Sequence, residues 1–189
     1  MTPDLIPPPT ARIRFRPYQA EDAAAVTVMF ADGQARRFYP TMVQLDAAAR
    51  WIAWNLDSYQ TTGFGLWVIE HRDTGEFLGD CGLTLQPVDD GHLVEVGYHL
   101  TVAHRGRGYA TEAARACIEH ALHHLGLPLV CSIVDPDNTP SKAVASRIHR
   151  SHRTALSNSR PMLLYWTDNP ATPPPSPPWP DASARPALT

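Results

Sequence analysis

The stretch His99–Glu112, H-L-T-V-A-H-R-G-R-G-Y-A-T-E, concentrates residue types that hold a phosphate. Strand-like apolar residues end here, Arg105-Gly106-Arg107-Gly108 follows, and Tyr109-Ala110-Thr111 opens an amphipathic run. A helix start leaves N–H groups unpaired and carries partial positive charge. Glycine lets an anion approach the backbone, and arginine adds charge-assisted hydrogen bonds. The plain alternative is an ordinary basic turn. Competing phosphate motifs fail on residues: no G-K-[ST] is present, and Thr111 stands where a dinucleotide fingerprint needs glycine or alanine. An RGG-type nucleic-acid segment would be repeated and unstructured, whereas this one opens a helix.

Other reactive side chains read as structural. His120 and His124 share a helix face, with His123 beside them, but they are placed off the apolar stripe and are expected on a solvated face, with no metal. Cys81, Cys117 and Cys131 sit in apolar runs without C-x-x-C spacing, which predicts buried, reduced thiols. Trp51 and Trp54, with Ile52 and Leu56, pack a helix or line a cleft.

The elements that must position the turn follow from periodicity. Ala11–Pro17 alternates Ile13 and Phe15 with arginines and predicts a strand with one polar face. Glu21–Phe30 predicts a first helix, and Gly33–Thr41 a connection. The second helix is expected at about Leu45–Tyr59, with Leu45, Ala48, Ala49, Ile52, Ala53, Leu56 and Tyr59 at helical spacing. Gly65–Ile69 is apolar on both faces and predicts a central strand. Phe77–Leu85 returns after a turn, and His92–Leu100 follows another, with Glu95, Gly97 and His99 on one face and Val94, Val96, Tyr98 and Leu100 on the other. The helix after the glycines carries an apolar stripe from Ala110 to Leu125. Leu129–Val134 is a strand, Ser141–His149 a helix, and weaker strands lie near Thr154–Leu156 and Met162–Thr167. Hairpins leading into a strand–helix–strand crossover predict a mixed α/β sheet.

The 189 residues, 43% hydrophobic, suit one domain with a sizeable core. A net charge of −3 does not suggest a nucleic-acid binder. No run of eighteen apolar residues would cross a membrane, and the first residues do not read as a secretory signal. The expected organisation is a flexible segment at 1–10, a domain at 11–168, and a disordered tail at 169–189. From Pro170 onward eight of twenty residues are proline.

Arg105, Gly108 and Ala110 also fill the three defined positions of the acyl-CoA motif R/Q-x-x-G-x-G/A, and the chain resembles the GNAT superfamily of N-acetyltransferases. The element order matches from about residue 11 to 167. Gly63-Phe64-Gly65-Leu66-Trp67, Thr74-Gly75-Glu76-Phe77-Leu78-Gly79, Cys81-Gly82-Leu83 and Glu95-Val96-Gly97-Tyr98 look like the branch acting on ribosomal-protein N-termini and related small amines.

The resemblance implies an α/β (α+β) GNAT fold, a mixed sheet of about seven strands flanked by about four helices. It implies acetyl-CoA as donor, no metal, and direct transfer to a primary amine, either a protein N-terminus or a small molecule. Donor contacts fall to Tyr98, His99, Leu100, Arg105, Gly106, Arg107, Gly108, Tyr109, Ala110, Thr111, Asn138 and Ser141. A backbone N–H near Tyr98–Leu100 would hold the thioester carbonyl. Glu95 is the candidate base and His99 a second one. Glu95 could instead fix a neighbouring arginine or the acceptor's amine. Asn138-Thr139-Pro140-Ser141 resembles the N-x-x-S signature, with Ser141 as proton donor to the thiolate. The plain reading of Asn138 and Ser141 is a helix cap. Arg37, Phe38, Tyr39 and Trp54 are expected to line the acceptor site.

The chain departs from the family where many members carry a tyrosine, at Ala145, and where the last helix often ends in Gly-Phe or Gly-Met, at Ile148-His149-Arg150-Ser151. A thiol with an ordinary pKa of about 8.5 leaves tolerably without an enzymic acid. A non-catalytic acyl-CoA sensor on the same fold is the alternative, and an interaction module using the Pro-rich tail a third. A cytoplasmic location without nucleic-acid or membrane partners is expected, and a homodimer is a possible assembly.

Overall fold

The computed structural model describes residues 5–44 and 46–172. Leu45, most of the Pro-rich tail and the first four residues therefore lie outside the described residues. Among those described, seven strands form one mixed sheet: β1 Ile13–Arg16, β2 Leu66–His71, β3 Phe77–Val88, β4 Gly91–Leu100, β5 Leu129–Val134, β6 Ser151–Ser157 and β7 Arg160–Asp168. The order is β1-β2-β3-β4-β5-β7-β6. The β4–β5 pair is parallel, while β1–β2, β2–β3, β5–β7 and β6–β7 are antiparallel. Five α-helices accompany them: α1 Ala23–Met29, α2 Gly33–Phe38, α3 Ala47–Thr61, α4 Tyr109–His123 and α5 Thr139–Ile148. The expected α/β fold is present, with one helix more than expected.

The described chain divides into two compact units. The first holds the residues up to Gly82 with Tyr98–Ala116, and the second Leu83–Gly97 with the residues from Cys117 onward. The core of the first gathers Tyr18, Val26, Met29, Phe30, Ala35, Ile52, Leu66 and Val68. That of the second gathers Val88, Leu93, Leu129, Cys131, Ala155 and Leu164.

The extra helix, α2, forms where a connection was expected. Asp32 caps it, its carboxylate accepting from Gln34 N (2.9 Å) and Ala35 N (3.2 Å). Six residues are too few to show an apolar period, so only the cap marks the helix. On α3 the buried face also differs from the expected stripe. Ile52, Asn55 and Tyr59 are buried, whereas Leu56 is 42% exposed. Asn55 belongs to the core because it completes β2: Oδ1 accepts from Leu66 N (2.8 Å) and Nδ2 donates to Trp51 O (3.0 Å). Arg14 and Arg16, the polar face of β1, pair with the buried Glu70 at 2.5 and 2.6 Å. The weak final strands prove long because Asn158 and Ser159, at φ 48° and 60°, make the two-residue turn that suits the strand twist. Pairing from Ser157↔Arg160 to Ser151↔Trp166 then extends both.

Candidate active site

The basic turn lies in the first unit. β4 ends at Leu100, a short 3₁₀ segment spans Val102–His104, and α4 starts at Tyr109. Gly106 and Gly108 both adopt positive φ, 74° and 83°. A Cβ on Gly106 would meet nothing within 4 Å, so backbone conformation rather than space calls for glycine there. Glu112 N donates to Gly108 O (3.1 Å), which places the N–H groups of Tyr109, Ala110 and Thr111 ahead of the first intrahelical donor.

The side chains around the turn are engaged in ways that spacing did not reveal. Arg105 donates to Leu100 O (3.1 Å) and grips Asp32 through Nη1 (3.1 Å) and Nη2 (2.7 Å). That grip, with the α2 cap bonds, holds the Asp32 carboxyl down to about 2. Arg107 is exposed. Arg12, read from the sequence only as the polar face of β1, reaches the turn: Nη1 donates to Arg107 O (3.1 Å), and the guanidinium lies 4.5 Å over the Tyr109 ring. Glu112 receives Arg12 Nε (2.7 Å), Arg12 N (3.0 Å) and the Thr10 hydroxyl (2.6 Å). Burial raises the Glu112 pKa, but these bonds outweigh it and leave the carboxyl below its ordinary range. No local signal could have found Arg12, since its partners lie about a hundred residues away.

A second group of polar atoms in the same unit centres on Asp80 of β3, which is fully buried. Its Oδ2 accepts from the Tyr18 hydroxyl (2.5 Å) and Trp51 Nε1 (3.0 Å), and its Oδ1 lies 2.6 Å from His99 Nδ1. Burial, then the Asp80 charge, pushes the Tyr18 phenol well up, so it stays a donor. The His99 ring packs against Phe30, Tyr39 and Trp51 at 5.3, 4.8 and 5.5 Å between centroids. Gly79 permits this approach of β3 to β4, because a Cβ there would stand 2.0 Å from His99 O. Trp54 packs on Trp51 at 5.8 Å and helps line a cavity of about 340 Å³ with Thr41, Met42, Gln44, Ala47, Arg50 and Trp51. Of the expected acceptor residues, Tyr39 touches His99 directly and Trp54 connects through Trp51. Arg37 and Phe38 stack on each other, 5.4 Å apart.

In the second unit, Glu95 sits opposite Cys131 in the β4–β5 register, and its Oε1 accepts from Ile133 N (2.9 Å). Burial, and next the Glu95 charge, pushes the Cys131 thiol well up. Asn138 caps α5, accepting from Ser141 N (3.2 Å). Ala145, at the family's tyrosine position, is fully buried. The helix exit that lacks glycine is built on His149, whose extended backbone (φ −116°) needs no left-handed residue. Its buried ring joins Ser132 Oγ and Thr167 Oγ1, both at 3.0 Å, and burial lowers its pKa to about 4.

One expectation is corrected. His120 does not lie on a solvated face: it is 2% exposed and stacks on His124 at 5.2 Å. Three residues after Cys117, it falls on the buried stripe of α4. Among the described residues, no three His, Cys, Asp or Glu side chains gather as a metal-holding group, and no helix is long and apolar enough to cross a membrane.

The mixed sheet, with a glycine turn opening a long helix after β4, defines the acyl-CoA acyltransferase class of fold. An acetyltransferase (GNAT) domain model matches residues 12–150, and the chain belongs to that family. The Bacillus subtilis (strain 168) protein YkkB is 32% identical over 158 residues, covering 82% of this chain and 92% of its own. A crystal structure of an acetyltransferase from Agrobacterium tumefaciens str. C58 superposes with a TM-score of 0.72 at 30% identity, covering 84% of this chain and 91% of that one. RimL, a ribosomal L7/L12 alpha-N-protein acetyltransferase solved with coenzyme A, shares the fold with a TM-score of 0.68 at 17% identity, covering 86% and 97%.

Proposed function

We propose that this chain is an acetyl-CoA-dependent N-acetyltransferase that moves the acetyl group directly to a primary amine, either a protein N-terminus or a small molecule. The observation that carries the reading is the Arg105–Thr111 turn: two glycines at positive φ lead into the first-turn N–H groups of the fifteen-residue α4. Those donors suit the pyrophosphate of the acyl donor. RimL was solved with coenzyme A, and the same ligand is proposed here. Arg107 and the helix N–H groups supply its positive surroundings, while Arg105 holds the turn to Asp32.

Direct transfer is favoured over an acyl-enzyme because Cys81, Cys117 and Cys131 are all fully buried, and thiol nucleophiles need access and a low pKa. The backbone near Tyr98–Leu100 is proposed to polarise the thioester carbonyl, and Asn138 and Ser141 to contact the donor. Glu95 is retained as a candidate base, although one of its oxygens already serves Ile133 N. The catalytic domain is proposed to span residues 11–168 and to act in the cytoplasm.

Titration calorimetry with coenzyme A, followed by thiol release from acetyl-CoA across a panel of primary amines, tests the reading. Binding with amine-dependent release is expected, and Gly108→Trp should abolish both while the fold persists by circular dichroism. Binding without release for any amine would favour the acyl-CoA sensor instead.

A further inference from the structure

We propose that Asp80 and His99 form a carboxylate–imidazole pair in which His99 takes the proton of the acceptor amine and Asp80 is its positioning residue. The pair acts within the N-acetyl transfer proposed above and depends on it.

Among the described residues, the Asp80 carboxylate has three side-chain partners: it accepts from the Tyr18 hydroxyl and the Trp51 indole N–H, and its Oδ1 lies 2.6 Å from His99 Nδ1. In the proposed pair the Asp80 carboxylate accepts, His99 Nδ1 carries the hydrogen, and Nε2 is the ring's acceptor. Tyrosine and tryptophan bring no charge. His99 is thus the one partner of the three that can carry the positive charge matching a carboxylate held at 0% exposure.

The surroundings fit proton transfer. Phe30, Tyr39 and Trp51 wall the imidazole and leave 12% of its side chain exposed. Among the described residues, the titratable groups at the pair are Asp80 on β3 and Tyr39 after α2, both against His99, and Tyr18 before α1, against Asp80. Trp51 also lines the cavity beside α3, so a molecule entering there meets the aromatic wall of the pair. Aromatic faces attract an ammonium group, the form in which most amines arrive near neutral pH. Glu95 has one oxygen committed to Ile133 N, whereas the His99 ring is engaged through Nδ1 by the Asp80 side chain.

In the reaction, the amine nitrogen forms a bond to the acetyl carbon and the carbon–sulfur bond breaks. The arriving ammonium first gives a proton to His99 Nε2. As the neutral nitrogen then bonds to the acetyl carbon it sheds a second proton to water, the departing thiolate takes a proton from water, and His99 returns its own to solvent. Asp80 supplies the counter-charge while the imidazolium exists.

The test uses the wild-type enzyme with the best amine of the panel, beside Asp80→Asn and His99→Gln. Coenzyme A binding with turnover by wild type establishes the transfer reading separately. At pH 7, His99→Gln is expected to lower kcat about 100-fold and Asp80→Asn about tenfold, with KM for the amine within about twofold. At about pH 9.5, above an ordinary α-amino pKa of about 8, both gaps should close, because the amine has already lost its proton. A structural lesion would persist at both pH values. Nitrogen NMR of the histidine rings should show Nδ1–H at His99 in wild type, a signature that does not require turnover. A wild-type Nε2–H tautomer, or a His99→Gln enzyme with an unaltered pH–rate profile, overturns the proposal. If Asp80→Asn fails to fold, His99→Gln and the NMR measurement still decide it.

Discussion

Asp32 serves two masters: its Oδ1 caps α2 through Gln34 N at 2.9 Å, and its Oδ2 receives Arg105 Nη2 at 2.7 Å. One carboxylate therefore starts a helix and anchors the basic turn that follows β4. Asp32→Ala should cost about 1 kcal/mol for the lost cap, and weaken coenzyme A binding by loosening Arg105. Thermal melting and calorimetry measure the two effects separately. Asp32→Asn should recover most of the cap but not the ion pair.

The pH dependence of that contact follows from the low Asp32 pKa, about 2, set first by Arg105 and opposed by burial. A carboxyl depressed in the folded state stabilises the fold above its unfolded pKa of about 4. That contribution is lost as pH falls through 4 toward 2. An Asp32→Ala protein should therefore melt with a shallower acid dependence over that window.

Gly106 is required by backbone conformation alone, since a Cβ there would meet nothing within 4 Å at φ 74°. Gly106→Ala should cost about 1–2 kcal/mol, the penalty for an L-residue in the left-handed region. Gly106→Asn should cost less, because asparagine tolerates that region. Equal denaturant midpoints for the two variants would contradict this account.

Burial lowers the His149 pKa to about 4. The unfolded chain, with an ordinary value of about 6.5, binds more protons between those limits, so stability is full above pH 6.5 and falls as pH drops to 4. The loss amounts to about 3 kcal/mol over that window. Denaturation of His149→Gln across pH 4 to 7 should show this slope removed, with some stability lost at every pH through Ser132 and Thr167.

Asn55 shows what a buried polar residue can contribute. Asn55→Leu would match the apolar face of α3 but leave Leu66 N, at the start of β2, without its 2.8 Å acceptor. A loss of about 1–3 kcal/mol is expected despite the added apolar surface. Urea denaturation at neutral pH measures it.

Much was legible in the sequence because it is local. The α4 stripe, the strand at Leu129–Val134 and the glycine turn are set by residues within a few positions of one another, through period, cap and φ. Chain order then pointed to the family. Tertiary structure decided the rest. Arg12 joined the turn across about a hundred residues, Asp80 met His99 across a strand pair, and Arg105 found Asp32 on a helix too short to show a period. His120 left the solvated face and His149 rebuilt a helix exit without glycine. Hydrogen bonds and ion pairs form between whichever elements folding makes adjacent, and sequence spacing carries no record of that adjacency.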